Sequence, residues 1–175
     1  MVTRKIIGID LAGNPKNRTG FALLVEEFGQ RDIKSKTLFS DEEIIEEIQK
    51  THPDLVAIDA PLTNKVQDRK CDQELKTYGT LPLLLPGMRL LAQRGYQLSQ
   101  KIAQLNIPVI EISARATEKI MGIEANAFSR SSHQRDAILA AITGFLHLQG
   151  ETREVGDRGG KIVIPKPPRK KPLKR

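Results

Sequence analysis

Three aspartates of this sequence stand where a carboxylate has a chemical use. Asp10 and Asp59 each end a short apolar run, KIIGID and LVAID, and Asp136 lies near the start of a later apolar segment. Burying an ionised carboxylate costs several kcal/mol unless a cation compensates it. Converging carboxylates also repel each other until a divalent cation neutralises them. The pattern therefore predicts a metal site with hard oxygen ligands, which favour Mg²⁺ or Mn²⁺ over zinc.

A metal held by carboxylates beside an open face suits phosphoryl transfer. In two-metal sites the ions stand about 3.5–4 Å apart, one activating water and the other stabilising the leaving oxygen. Each aspartate alone also has an ordinary explanation, because such residues cap turns or complement a helix dipole. The set of three favours a phosphodiester-hydrolysing site, since two of them repeat the same strand-end arrangement.

The elements that must position these acids follow from the hydrophobic pattern. Residues 5–10, 19–25 and 30–39 are predicted to form three antiparallel strands joined by short loops. Ser40 caps a helix that runs to Lys50, and residues 55–59 form a second buried strand. The right-handed crossover rule allows this strand to lie parallel to the first, which places Asp10 and Asp59 side by side.

The rest of the chain is mostly helical up to residue 105. Helices are predicted over 68–78 in one piece and over 88–105, followed by a strand at 108–113, a short helix at 115–121 and a deeply packed helix capped by Ser131 or Ser132. The second of these helices carries most of an apolar stripe at Leu90, Leu91, Arg94, Leu98, Ile102 and Leu105. Residues 151–165 are predicted to form a small terminal hairpin.

Composition indicates one globular domain over residues 1–164. The chain has 175 residues, 39% of them hydrophobic and 28% charged, and no apolar run approaches the ~20 residues that span a bilayer. The first strand begins too early for a secretory leader, so we expect a cytoplasmic protein without membrane contact. The single cysteine, Cys71, excludes an intramolecular disulfide and a multi-cysteine zinc site.

The positive charge is concentrated in residues 165–175. This segment carries six of the seven net positive charges and four prolines, which predicts a disordered or extended tail. It is either a solubilising terminus or an arm that binds phosphates through residues such as Lys170 and Lys171.

Several short motifs, in this order and spacing, resemble a largely uncharacterised family of predicted nucleases with a ribonuclease H-like fold. The resemblance spans residues 4–164 and rests on Gly8-Ile9-Asp10-Leu11-Ala12-Gly13, Ile58-Asp59-Ala60-Pro61-Leu62, Arg69-Lys70-Cys71-Asp72, Glu111-Ile112 with Arg115, and Asp136-Ala137 with Ala140. It implies an α/β fold with a mixed five-stranded sheet, three antiparallel strands followed by parallel ones, helices on both faces, and a helical insertion at about 62–105.

The resemblance also implies roles for particular residues. Asp10, Asp59 and Asp136 would bind metal, and Glu111 would be a fourth catalytic acid. The positions that would contact substrate are Arg69, Asp72 and Arg115; the alternative for Asp72 is an ordinary helix-end partner for Arg69. His133 lies three residues before Asp136, so on a helix it shares that face and could orient water or protonate a leaving group; the alternative is a polar helix cap.

These observations predict a metal-dependent nuclease that acts on structured or branched DNA or RNA. One alternative is a nucleic-acid-binding or interaction protein with the same fold and no activity. Another follows from the likeness of residues 8–13 to the first phosphate loop of sugar-kinase, actin and chaperone-type ATPases, which need two lobes where this chain supplies one. The dinucleotide pattern GxGxxG is absent after the first strand. The sequence leaves open the oligomeric state, monomer or dimer.

Overall fold

The computed structural model describes residues 3–129 and 131–168. The predicted phosphate contacts Lys170 and Lys171 lie outside the described residues. Among these residues, no helix combines the length and the apolar character needed to cross a membrane.

One mixed sheet of five strands organises the molecule, with the order β3-β2-β1-β4-β5. The strands are β1 Arg4–Asp10, β2 Thr19–Glu27, β3 Gln30–Leu38, β4 Leu55–Asp59 and β5 Val109–Glu111. The first three are antiparallel neighbours, and β4 and β5 run parallel to β1. The predicted α/β class and mixed five-stranded sheet are confirmed.

Helix α1, Asp41–Thr51, makes the crossover between β3 and β4. It begins at a capping box, in which the Ser40 hydroxyl accepts from the Glu43 backbone N–H at 3.2 Å and the Glu43 carboxylate accepts from the Ser40 N–H, also at 3.2 Å. Ile44 and Ile48 form its buried face. The crossover places β4 against β1, so Asp10 and Asp59 are paired at the strand ends.

Helices cover both faces of the sheet, as the sequence predicts. Alternate residues of β1 point to opposite faces: Ile7 and Ile9 pack with α1 and with helix α3, Pro86–Ala103, whereas Ile6 packs against helix α5, Ser132–Leu148. All three isoleucines are fully buried. The core is therefore two apolar layers, one on each side of the sheet.

Two glycines of the sheet, Gly8 and Gly20, face the backbone of helix α5 without a side chain in between. A Cβ atom at Gly8 would overlap the Ala137 carbonyl, and one at Gly20 would overlap the backbone of His133. Since any side chain at these two positions would collide with the helix backbone, the two glycines set the height of α5 above β1 and β2.

The insertion differs in detail from the prediction. The expected single helix over 68–78 is wrong: α2 spans only Lys70–Glu74, and a 3₁₀ turn follows at Lys76–Tyr78. The α-helical geometry stops at Leu75, and the chain turns at Gly79, whose φ of 92° is in the left-handed region. Helix α3 begins and ends two residues earlier than predicted, with Pro86 at its first position.

The C-terminal part adds a helix and a hairpin beside the sheet. Helix α4 spans Ala114–Met121, and the hairpin consists of β6 Thr152–Asp157 and β7 Gly160–Pro165. Val155, Ile162 and Ile164 of the hairpin are buried against Cys71 and Leu75 of the insertion and Ala116 of α4. The predicted hairpin is thus confirmed, and it braces the insertion from the side of β5.

Candidate metal centre

Asp10 and Asp59 occupy the carboxyl ends of adjacent parallel strands and are register partners. Asp136 reaches the same edge from the N-terminal part of α5. Gly20, the residue of β2 opposite Asp10, lies directly beneath the His133 backbone. The close approach that this glycine permits is what brings the start of α5, and with it Asp136, over the strand ends.

The three aspartates form one group, with a carboxylate oxygen from each lying within 4.8 Å of the others. Each side chain is partly buried. Protein donors hold each carboxylate from the outside: Ala114 N–H donates to Asp59 Oδ1 at 3.3 Å, and Arg135 Nε–H donates to Asp136 Oδ1 at 3.3 Å. His133 Nδ1 lies 2.8 Å from Asp10 Oδ2.

The electrostatics of this group disfavour three negative charges. Burial raises the pKa of Asp10 to about 6, with the charge of Asp136 adding to the rise and the hydrogen bond with His133 opposing it. Burial also raises the pKa of Asp59 well above its ordinary value, reinforced by the charge of Asp10. These carboxylates are crowded, and the protein does not supply enough positive charge to balance them. A hard divalent cation, which binds carboxylate oxygens, would neutralise the group.

The acidic group opens into a cleft of about 210 Å³. Its far wall comes from the insertion and includes Leu81, Met88 and Leu91. Arg115, at the start of α4, is exposed at the same cleft and donates from Nη1 to the Gly79 carbonyl at 3.0 Å. The cleft thus combines an acidic floor, an apolar wall and the exposed guanidinium of Arg115.

A second acidic cluster in the cleft is built differently. Arg69 donates from Nε and Nη2 to the two oxygens of Asp72, both at 2.8 Å, and from Nη1 and Nη2 to those of Glu111, at 2.9 and 2.7 Å. Glu111 Oε2 also accepts from the Leu62 N–H at 2.9 Å. All three charged residues are less than a tenth exposed. This cluster ties the insertion to the end of β5.

The pairing shows in the pKa values of the second cluster. Burial by itself lowers the pKa of Arg69, but its hydrogen bonds with Asp72 and Glu111 outweigh that effect and raise the pKa. Burial raises the pKa of Glu111, and the hydrogen bonds from Arg69 oppose the rise. The guanidinium is therefore a permanent positive charge between two carboxylates.

The structure brings together some of the predicted site residues and separates others. Asp10, Asp59, Asp136 and His133 lie at one point, and Arg115 lines the same cleft. Glu111 stands outside the three-aspartate group because its carboxylate is bound to Arg69. Arg69 and Asp72 line the cleft but are buried and bonded to each other. The catalytic role of Glu111 and the substrate contacts of Arg69 and Asp72 stay predictions.

Two contributors to the site were missed by sequence reasoning. Gly20 is one, although a glycine inside an apolar strand is a signal for close backbone approach. Arg94 is the other: it was placed in an apolar stripe, but it is 5% exposed and donates to the carbonyls of Ala12 and Phe39, each at 2.6 Å, and to Asp41 Oδ1 at 2.8 Å. It fixes the loop that follows Asp10.

Comparisons with known proteins give little to set beside this geometry. No protein-family model matches the chain, and no curated protein matches it. Among solved structures the chain is similar to YeaZ from Pseudomonas aeruginosa, with 10% sequence identity and a TM-score of 0.31, over 98% of this chain and 72% of that one. Similarity at this level carries no conclusion about fold or activity.

Proposed function

We propose that this chain is a metal-dependent nuclease of ribonuclease H-like fold, related to the predicted-nuclease family that its motifs resemble. The observation that carries the proposal is the group of three carboxylates within 4.8 Å, formed at the carboxyl ends of parallel strands and open to a cleft. Ligand sites of open α/β sheets lie at this edge. The order of strands, with three antiparallel and two parallel members, agrees with the proposed fold.

In this proposal the aspartates serve as metal ligands. Asp10, Asp59 and Asp136 hold Mg²⁺ or Mn²⁺, for which an all-carboxylate set without sulfur or imidazole is suited. A divalent ion bound there supplies water activation and stabilisation of a leaving oxygen at phosphorus. The helix α5 and the paired strand ends keep the three ligands preorganised.

Two further residues are placed to act on the substrate. Arg115 presents a guanidinium at the cleft, where it would bind a non-bridging phosphate oxygen. His133 is held by Asp10 at 2.8 Å, with 46% of its side chain exposed. Its proposed role is to orient water or to donate a proton to the leaving group.

Cleavage assays with metal and site variants test the proposal. Wild-type protein and Asp10→Asn would be incubated with Mg²⁺ or Mn²⁺ and a panel of duplex, hybrid, branched and single-stranded DNA and RNA. Asp32→Asn is the matched control, because Asp32 lies on β3 with 67% of its side chain exposed. We expect metal-dependent cleavage by the wild type and the control, and a loss of at least about a hundredfold in Asp10→Asn, since removal of a ligand exceeds the effect of a supporting residue.

Three other outcomes would reject the nuclease assignment. Equal cleavage by wild type and Asp10→Asn would place the activity elsewhere. Binding of nucleic acid without cleavage under any condition would favour the non-catalytic binding protein. Metal-dependent hydrolysis of a nucleoside triphosphate, with nucleic acids left intact, would favour a phosphotransferase-like domain.

A further inference from the structure

A second depression lies on the other side of the cluster formed by Arg69, Asp72 and Glu111. It has a volume of about 400 Å³ and lies between the start of the insertion and the tip of the β6–β7 hairpin. Three exposed cations line it, Lys65 from the insertion and Arg158 and Lys161 from the hairpin. We call it the basic groove.

The basic groove and the cleft with the three aspartates share a wall. Arg69 and Glu111 line both depressions. Because these two side chains are bonded to each other at 2.7 and 2.9 Å, the wall is a single ion pair. The cleft and the basic groove are therefore neighbours, separated by this ion pair.

Among the described residues, two of the groove's three cations have no neighbouring acid, and the third is paired only at the surface. Within the described parts of the chain, Lys65 and Arg158 have no acid at ion-pair distance, and Lys161 pairs with Glu154 at 2.6 Å with both side chains at least half exposed. Such an exposed pair holds its partners weakly. Of the described residues that line the groove, Glu111 is the one acid, and its two oxygens already accept from Arg69. The groove thus presents uncompensated positive charge.

The positive character is local. Outside residues 165–175 the chain is nearly neutral, with a net charge of about +1. Beyond Arg158 the next depression is lined by Asp68 and Asp157 as well as by Lys70, so the positive surface ends there. The groove accommodates a short run of negative groups rather than a long polyanion.

We propose that the basic groove binds the phosphates of a single nucleic-acid strand that flank the phosphate in the metal cleft. This inference rests on the proposed nuclease function and adds the path of the substrate: over the Arg69–Glu111 wall, between the insertion and the hairpin tip. Lysine and arginine contacts to phosphate position a strand without reading its bases, so binding here is independent of sequence. The groove accounts for about two or three phosphates.

Binding of a fluorescent single-stranded oligonucleotide tests the proposal. All proteins carry Asp10→Asn, so that the probe is not cleaved, and all binding reactions contain Mg²⁺. The groove variant Lys65→Gln/Arg158→Gln is compared with Lys34→Gln/Lys50→Gln, which removes the same charge from exposed positions on β3 and α1. We expect the groove variant to bind several-fold more weakly and to lower the slope of log K against log salt by about 1.4, since each phosphate contact in a single strand contributes about 0.7. The control should match its parent.

Failure of this inference can be told apart from failure of the proposed function. Equal weakening in both double variants, an unchanged salt slope, or no detectable binding by the Asp10→Asn parent would overturn the groove. Displacement of the probe by inorganic phosphate at constant ionic strength would assign the groove to a free anion instead and overturn the strand path. If binding weakens only in the groove variant and the wild type cleaves no substrate, the binding role of the groove is kept and the nuclease function is rejected. Thermal melting of each variant checks that the fold is intact.

Discussion

Two clusters of acids line the same cleft and differ in how their charge is balanced. In the group of Asp10, Asp59 and Asp136, the Arg135 guanidinium donates to Asp136 from outside. In the other cluster, Asp72 and Glu111 accept four hydrogen bonds from Arg69, which lies between them. In the first cluster, burial raises the pKa of Asp10 to about 6 and that of Asp59 well above its ordinary value. In the second, a fixed cation compensates the charges.

The difference distinguishes a group of acids that could hold a metal ion from a cluster that ties two parts of the protein together. A cluster whose charge is satisfied within the protein has nothing left to offer a ligand, and removing any partner exposes the others. A cluster that stays uncompensated costs stability in the free protein, and that cost is recovered when a cation binds. Substitutions in the two clusters are therefore expected to have opposite effects on stability, and the following predictions test this contrast.

The largest effect is expected when Arg69 loses its charge. Arg69→Met leaves Asp72 and Glu111 buried without their cation, and breaking a buried ion pair in this way costs about 3–5 kcal/mol. Urea denaturation at neutral pH measures the loss.

The matched control for this variant removes the acids as well. The triple variant Arg69→Met/Asp72→Asn/Glu111→Gln leaves no buried charge without a partner. It should therefore recover at least half of the stability lost in Arg69→Met. A loss of less than about 1 kcal/mol in the single variant would show that the cluster does not hold the insertion to the end of β5.

An intermediate effect is expected from Gly20→Ala. The added methyl group collides with the His133 backbone, so α5 must move away from β2 at a cost of about 1–3 kcal/mol. Because Asp136 moves with the helix, affinity for Mn²⁺ should fall as well. Gly87→Ala is the control: its Cβ meets no atom within 4 Å, and we expect unchanged or slightly higher stability. Equal behaviour of the two variants would refute the role given to Gly20.

The smallest expected effect is a gain of stability, and it concerns the charge of Asp10. In metal-free protein the pKa of Asp10 is about 6 rather than 3.8, so between these two pH values the unfolded chain gives up a proton that the folded protein keeps. Stability from this group is thus fully present below pH 3.8 and is lost as the pH rises to about 6. Above pH 6, this pKa difference lowers the free energy of unfolding by about 3 kcal/mol.

Asp10→Asn removes this unfavourable charge. Because the contact with His133 is weakened at the same time, we expect a net stabilisation of about 1–2 kcal/mol at pH 8 in the presence of a chelator. At pH 4 the variant and the wild type should be alike, since the aspartic acid is then protonated when folded. Chemical denaturation at both pH values provides the comparison, and destabilisation at pH 8 would contradict the electrostatic account.

Sequence reasoning placed the acids of the first cluster together but did not anticipate that Glu111 joins the second, for a physical reason. An apolar run that ends in aspartate is a local signal, and the crossover rule converts two such runs into neighbouring strand ends, which gave the Asp10–Asp59 pairing. Glu111 carries no local signal of its partner. Its guanidinium comes from Arg69, 42 residues away, across an insertion whose packing no periodicity predicts.

The same limit explains the errors on α3. Its stripe was predicted to be apolar, yet Leu90 is 59% exposed and Arg94 is buried. Arg94 donates to the carbonyls of Ala12 and Phe39, which lie in the loop after β1 and directly after β3. Hydrophobic periodicity identifies the buried side of a helix. It does not show which backbone carbonyls or carboxylates of other elements lie there to accept hydrogen bonds.

The central claim, that the three aspartates form a divalent-cation site, is tested most directly by titration with Mn²⁺ monitored by electron paramagnetic resonance. Wild type, Asp59→Asn and Glu111→Gln would be compared at pH 8, with folding verified for each. The account predicts saturable binding by the wild type, affinity lower by at least about tenfold in Asp59→Asn, and affinity within about threefold of wild type in Glu111→Gln. Absence of saturable binding by the wild type, or an equal loss in the two variants, would contradict it.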